Sequence, residues 1–216
     1  TLASLDNAAI GVLPPLAKVI AIDLGVSEAS IGFVTAMSIL VTAVTAVPWG
    51  YFGDQAGRKN LLLYGTVIWT SGTFLTGLSS SYIEFLAFQV ITAVGLGCIL
   101  SVGFSVISDF VAPGKRGFAM SFWGLSQGFG VIAGNLLVVL VGFDNWSVPF
   151  FIISGTGLVL ALLYVFAFDP GRGRTEPELA KVYASGKEYR HHIRTSDILG
   201  LASRKTNIWL IAQGFT

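Results

Sequence analysis

The chain has 216 residues, of which 53% are hydrophobic and 12% are charged, and its formal net charge is +1. A soluble domain carries about 25% charged residues, so this composition excludes a water-covered globule and predicts an integral, multi-pass membrane protein. No basic stripe with interleaved aromatic residues is present in the sequence, which argues against nucleic acid as a partner. The single cysteine, Cys98, excludes a disulfide within the chain.

Six apolar segments follow one another, each long enough to cross about 30 Å of hydrocarbon. They are predicted at residues 1–22, 29–51, 60–78, 82–112, 118–142 and 147–168. We therefore expect residues 1–168 to form a six-helix transmembrane bundle. Residues 169–205 hold eight of the thirteen bases and are expected to form a linker, and residues 206–216 are expected to open a seventh span.

The basic residues lie in alternate turns. Arg58 and Lys59 lie in the turn between spans two and three, and Lys115 and Arg116 lie in the turn between spans four and five. The basic linker follows span six. Lys18 is the only base near the other turns. Positively charged loops are retained on the cytoplasmic side of a membrane. These turns and the linker are therefore predicted to face the cytoplasm, with the cell membrane as the expected location.

The turn between the second and third spans carries an unusual concentration of glycine and charge. Residues 50–59 are Gly-Tyr-Phe-Gly-Asp-Gln-Ala-Gly-Arg-Lys, and glycine permits the positive φ and the close backbone approach expected of a tight reversal. The run resembles the signature loop of the major facilitator superfamily, Gly-x-x-x-Asp-Arg/Lys-x-Gly-Arg-Arg/Lys. Gln55 departs from that signature; the matching residues are Gly50, Asp54, Gly57, Arg58 and Lys59.

This resemblance implies an all-α membrane protein and, more narrowly, the N-terminal six-helix half of a twelve-helix major facilitator fold, followed by a cytoplasmic linker and the start of helix seven. In such a fold each half holds two inverted three-helix repeats, and the substrate binds between the halves near the midplane. The resemblance also implies a cytoplasmic gate in which Arg58 pairs with Asp109. The implied partners are the bilayer, a small-molecule or lipid-like substrate, a proton and the C-terminal half; no cofactor is implied.

Shorter stretches resemble the spinster-like branch of the same superfamily, whose better-known members move lysophospholipids or sphingosine-1-phosphate. The similar stretches are residues 5–6 with 11–14, 50–54, 108–110 and 169–173. Three charged positions of that branch are replaced here. Asn7 and Gln89 stand where the branch has arginine, and Leu96 stands where it has glutamate.

Asp6 is the only acidic residue well inside a predicted span. An unpaired carboxylate in hydrocarbon is costly, so such a group becomes neutral or faces a cavity. We expect Asp6 to couple transport to protons or to contact the substrate. The alternative is a position near the cytoplasmic surface, where the carboxylate would be solvated.

Several uncharged polar residues and one tryptophan within the fourth and fifth spans are candidates for the wall of a substrate cavity. The alternative for each polar residue is a hydrogen bond between helices, worth about 0.6 kcal/mol. The candidates are Gln89, Thr92, Trp123, Gln127 and Asn135. Span five also contains two overlapping pairs of glycines spaced by four, which predict close helix packing; they are Gly124, Gly128, Gly130 and Gly134.

Together these features predict a secondary active transporter that moves a small organic or amphipathic, lysolipid-like substrate by alternating access with proton coupling. The alternative is a non-transporting membrane receptor or scaffold on the same fold. An intramembrane enzyme needs paired catalytic groups at one depth, and Asp6 has no such partner in the sequence, so no catalytic residue is expected. His191 and His192 alone supply too few ligands for a metal site.

Overall fold

The computed structural model of the chain describes residues 2–55 and 57–167, and beyond them residues 200, 203–207 and 209. Within this described part, six helices are long and apolar enough to cross a membrane. They are α1 (Leu2–Asp23), α2 (Glu28–Gln55), α3 (Arg58–Leu78), α4 (Tyr82–Phe110), α5 (Arg116–Leu137) and α6 (Ser147–Val165). The expected all-α, six-span architecture is therefore confirmed, whereas most of the predicted linker and seventh span lies outside the described residues.

The bundle has a signature end and an opposite end. The signature end holds the C-termini of α2, α4 and α6 and the starts of α3 and α5; a short 3₁₀ turn, Pro113–Lys115, connects α4 to α5 there. The opposite end holds the remaining connections. At the opposite end the Trp146 indole Nε1 donates a 2.8 Å hydrogen bond to Asp23 Oδ2, which ties the end of α1 to the start of α6.

The signature turn is shorter than the sequence predicted. Because α2 continues to Gln55 and α3 begins at Arg58, most of residues 50–59 are helical. Gly57 has an ordinary φ of −63°, and among the described residues only Gly25 has a positive φ. The expectation of positive φ here was wrong at the glycines described. Gly53 instead allows close approach, since a Cβ there would lie 3.3 Å from Val102 Cγ2 of α4.

Helix α3 is the centre of one group of helices and packs against both α4 and α6. A Cβ on Gly95 would lie 2.4 Å from the Trp69 backbone nitrogen, and a Cβ on Gly157 would lie 2.4 Å from Thr70 Cγ2. On the far side of α4, the Trp49 indole of α2 donates a 2.8 Å hydrogen bond to the Val94 carbonyl. Helices α2, α3, α4 and α6 thus form one closely packed group.

Helix α1 packs mainly against α5, which lies parallel to it. A Cβ on Gly130 would lie 2.0 Å from the Ser4 carbonyl oxygen, and one on Gly134 would lie 2.4 Å from the Ala8 carbonyl oxygen. Gly124 and Gly128 have nothing within 4 Å of an added Cβ. Of the two glycine pairs predicted to pack, only Gly130 and Gly134 do so within this bundle. A π-helical turn, Val138–Gly142, directly follows the end of α5.

Candidate functional site: a charged cluster and two adjoining cavities

Arg58 is the centre of a charged cluster at the signature end. Its guanidinium Nη1 forms an ion pair with Asp109 Oδ2 and donates a 3.1 Å hydrogen bond to the Ser105 carbonyl, while Nη2 lies 3.9 Å from Asp54 Oδ1. The Arg58 and Asp109 side chains are 16% and 12% exposed. The Arg58–Asp109 contact expected from the sequence is therefore present, and it links the start of α3 to the ends of α2 and α4.

Lys59, the next residue of the signature, has different partners. Its ammonium Nζ donates to the Val165 carbonyl oxygen at 2.7 Å and to the Ala167 carbonyl oxygen at 2.6 Å. The last carbonyls of a helix lack intrahelical donors and carry a partial negative charge. Lys59 therefore caps the C-terminus of α6, a role that the sequence did not indicate.

The larger of two adjoining cavities lies mainly among α1, α2 and α4 and has a volume of about 240 Å³. Gln89 and Thr92, two predicted cavity residues, line it and are 8% and 4% exposed. The rest of its wall is mostly apolar, with hydroxyl groups from α2. This cavity suits the apolar part of an amphipathic molecule, because pockets for organic ligands combine apolar walls with few polar groups.

The smaller cavity, of about 110 Å³, adjoins the larger one. Both are lined by the same four residues of α1, α2 and α4, which are Ile10, Thr42, Leu96 and Leu100. Asp6, Trp123 and Gln127 also line the smaller cavity. The structure therefore brings the predicted coupling residue together with two of the predicted cavity residues.

Asp6 lies deep in the bundle. Its neighbour Ser4 is level with Gly130 of α5, and at 1.5 Å per residue Gly130 lies roughly 20 Å along α5 from Arg116. Asp6 is 6% exposed, and its Oδ1 accepts hydrogen bonds from Asn7 N at 2.8 Å and Asn7 Nδ2 at 3.1 Å. The alternative of a solvated position near the signature end does not fit this depth and burial.

Asn135 stands apart from the other predicted cavity residues. It is exposed on α5, and its side-chain amide donates a 2.9 Å hydrogen bond to the Val131 carbonyl one turn earlier. Asn135 lines neither of the two cavities. A side-chain amide that donates to a carbonyl of its own helix is satisfied without a hydrogen-bond acceptor in a cavity.

Three hydroxyl residues of α2 line the larger cavity but were not predicted. Thr35, Ser38 and Thr42 are spaced i, i+3 and i+7, which places them on one helical face. Ser38 Oγ is buried without a hydrogen-bond partner, whereas Thr42 Oγ1 donates to the Ala93 carbonyl at 3.3 Å. This spacing was the sequence signal that could have identified them.

The comparisons agree on one superfamily. The profile described as Major Facilitator Superfamily matches residues 1–216. Multidrug resistance protein 3 of Bacillus subtilis is 29% identical over 148 residues, covering 68% of this chain and 28% of that protein. Protein spinster homolog 1 of Xenopus tropicalis is 28% identical over 161 residues, covering 71% of this chain and 30% of that protein.

Among solved structures, a bacterial homolog of the human lysosomal transporter Spinster, in an inward-facing and occupied conformation, has a TM-score of 0.73 with 20% identity. The likeness covers 83% of this chain and 45% of that one, and at this identity it shows a shared fold. The matched part of this chain therefore spans less than half the length of that structure and less than a third of the two relatives named above.

Proposed function

Because this chain belongs to the Major Facilitator Superfamily, we propose that it is the N-terminal six-helix half of a secondary active transporter that works by alternating access. In this proposal the transporter moves a small organic or amphipathic substrate, lysolipid-like molecules included, in exchange or in step with protons. Residues 1–168 form the bundle, 169–205 a cytoplasmic linker and 206–216 the start of helix seven, in the cell membrane. A second six-helix half completes the cavity.

The observation that carries the proposal is the position of Asp6. Asp6 is 6% exposed and lines a cavity midway along the bundle. An acidic group inside a membrane bundle, facing a cavity, marks a substrate or proton pathway. Asp6 exchanges its proton when the cavity opens to one side of the membrane, and neutral Asp6 tolerates the dry, occluded state between openings.

The charged cluster at the signature end is the cytoplasmic gate of the proposed transporter. Arg58 holds α2, α3 and α4 together through Asp54 and Asp109, so this end of the half moves as one body. Gly50, Gly57 and Lys59 belong to the same gate motif. Gly57 is exposed and has nothing within 4 Å of an added Cβ, which leaves room for a close approach by the second half.

Substrate-driven proton movement tests the proposal. The full-length protein is reconstituted into liposomes that contain the pH-sensitive dye pyranine, and candidate lysolipids, amines, sugars and organic acids are added outside. Wild type is expected to change the internal pH with at least one of these compounds, and Asp6→Asn is expected to abolish that change. Asp144→Asn, which removes a carboxylate from an exposed turn, is the matched control and retains it.

Two outcomes contradict the proposal. Proton movement that survives Asp6→Asn would remove Asp6 as the coupling site. A compound that raises the melting temperature of the protein while no compound crosses the membrane would favour the receptor or scaffold alternative.

A further inference from the structure

We propose that the transported substrate is an organic cation with an apolar body, and that Asp6 is its counter-charge. This inference rests on the proposed function and names the class of substrate. Three features of the two cavities support it: an acid that forms no ion pair with any described side chain, a pair of aromatic rings beside it, and an adjoining apolar space.

The first feature is the charge balance around Asp6. All six helices contribute residues to the walls of the two cavities, and their described bases are Lys18 of α1, Arg58 and Lys59 at the start of α3, and Arg116 of α5. Lys18 follows Asp6 by more than three helical turns, and Arg116 begins α5, far from the level of Asp6. No ion pair to Asp6 forms among the described residues.

The other charged groups of the same helices lie at the ends of the bundle. Asp54 and Asp109 belong to the Arg58 cluster, and the remaining acids, Asp23, Glu28 and Glu84, lie at the opposite end. The interior of the described bundle therefore holds one acidic side chain and no basic one. A buried carboxylate attracts a cationic ligand and repels an anionic one over several ångströms, because the low-dielectric interior screens charge weakly.

The second feature is aromatic. Phe104 and Trp123 line the same small cavity as Asp6, with ring centroids 5.7 Å apart and an angle of 44° between the rings. Aromatic faces attract cations, and quaternary ammonium groups in particular are recognised in this way. Trp123 Nε1 is buried without a hydrogen-bond partner, so its N–H is available to an acceptor atom on the substrate.

The third feature is the space beside this polar corner. The 240 Å³ cavity shares a wall with the smaller one and is lined mostly by apolar side chains. A molecule whose cationic group lies between Asp6 and the two rings extends its apolar part into this space along α1, α2 and α4.

Two probes of the same shape and opposite charge test the inference. Tetraphenylphosphonium is a permanent cation, and tetraphenylborate is an anion of nearly the same size. Equilibrium binding of each is measured on the full-length protein in nanodiscs, with empty nanodiscs subtracted. Wild type is expected to bind the cation at least about 10-fold more tightly, because a buried carboxylate attracts positive charge and repels negative charge in an interior that screens weakly.

Variants of Asp6 and Trp123, with Asp144 as the control position, sharpen the measurement. Asp6→Asn is expected to weaken binding of the cation by about 10-fold or more, because the charge attraction is lost. Asp6→Glu is expected to retain most of the binding, and Asp144→Asn to leave it unchanged. Trp123→Leu weakens binding because the aromatic face is lost. Trp123→Phe retains binding, because tetraphenylphosphonium has no acceptor for the indole N–H.

Equal or tighter binding of tetraphenylborate, or full binding of the cation by Asp6→Asn, overturns the inference. If substrate-driven proton movement in wild type still depends on Asp6 in either case, the proposed transport function stands and only the substrate class is wrong. If no compound of any charge drives proton movement, the proposed function fails and the substrate class falls with it.

Discussion

Two aspartates of this bundle, Asp109 and Asp6, are buried to nearly the same extent but have different surroundings. Counted over backbone and side chain together, Asp109 is 8% exposed and Asp6 is 6% exposed. Asp109 pairs with the Arg58 guanidinium at the signature end, whereas Asp6 lines a cavity and accepts hydrogen bonds from Asn7. Breaking a buried ion pair leaves an uncompensated charge, so Asp109 is fixed to its partner. Asp6 forms no ion pair with any described side chain, which is the arrangement expected of a carboxylate that meets a proton or a ligand. Burial therefore shows which carboxylates are energetically costly to desolvate, and the groups around each carboxylate indicate its role.

The largest effect is expected where the buried pair is broken. Arg58→Gln leaves Asp109 without its guanidinium and should lower the free energy of unfolding by on the order of 3 kcal/mol. The double variant Arg58→Gln with Asp109→Asn should recover part of that loss, because no buried charge then remains unpaired. Titration with sodium dodecyl sulfate in mixed micelles measures the free energy of unfolding of the single and the double variant.

Asp6→Asn is the matched variant in the cavity. It removes a carboxylate of similar burial that pairs with no guanidinium among the described residues, so the free energy of unfolding should stay the same or rise. A loss as large as that of Arg58→Gln would show that the two aspartates do not differ in the way described.

A smaller effect is expected where α1 meets α5. Gly130→Val places methyl groups against the Ser4 backbone, and such overpacking typically costs about 1–3 kcal/mol. Because α1 carries Asp6, ligand binding should weaken while the Arg58 cluster stays intact. Gly128→Val, where a Cβ meets nothing within 4 Å, is the control; equal effects of both changes would mean that this contact does not position α1.

Lys59→Gln tests a weaker interaction at the signature end. Loss of the ammonium from the C-terminus of α6 should cost about 0.3–1 kcal/mol and speed hydrogen exchange at the Phe166 and Ala167 amides. Lys18→Gln, at an exposed position, should change neither quantity. Unchanged exchange at these two amides in Lys59→Gln would contradict the capping role.

The smallest effect on stability is expected at the unpaired hydroxyl in the cavity. Ser38→Ala removes a buried oxygen without a hydrogen-bond partner, so the free energy of unfolding should not fall. Thr42→Val removes a hydrogen bond to α4 and should lower it by about 0.6 kcal/mol. A clear loss of stability in Ser38→Ala would indicate that its hydroxyl does have a partner.

Apolar length and charge placement were sufficient to predict the six helices, because hydrocarbon thickness sets how long each must be. The contact between Arg58 and Asp109 was also predictable, since α3 begins and α4 ends on the same side. The contact of Lys59 with the end of α6 was not predictable, because main-chain carbonyls have no sequence signature and α6 is distant in the chain. The assignment of Asn135 to the substrate cavity stays a prediction, because composition does not show which way a helical residue faces.

The pairing of α1 with α5 has a consequence for the order in which this protein is assembled. Synthesis proceeds from the N-terminus at about 5–20 residues per second, and all of α2, α3 and α4 is made before Gly130 emerges. Helix α1, which carries Asp6, therefore stays in the translocon or the lipid for several seconds before its main packing partner, α5, has been synthesised. The neighbours α3 and α4 have no such delay. Ribosomes stalled before and after α5 should thus yield nascent chains in which α1 is, respectively, accessible and protected.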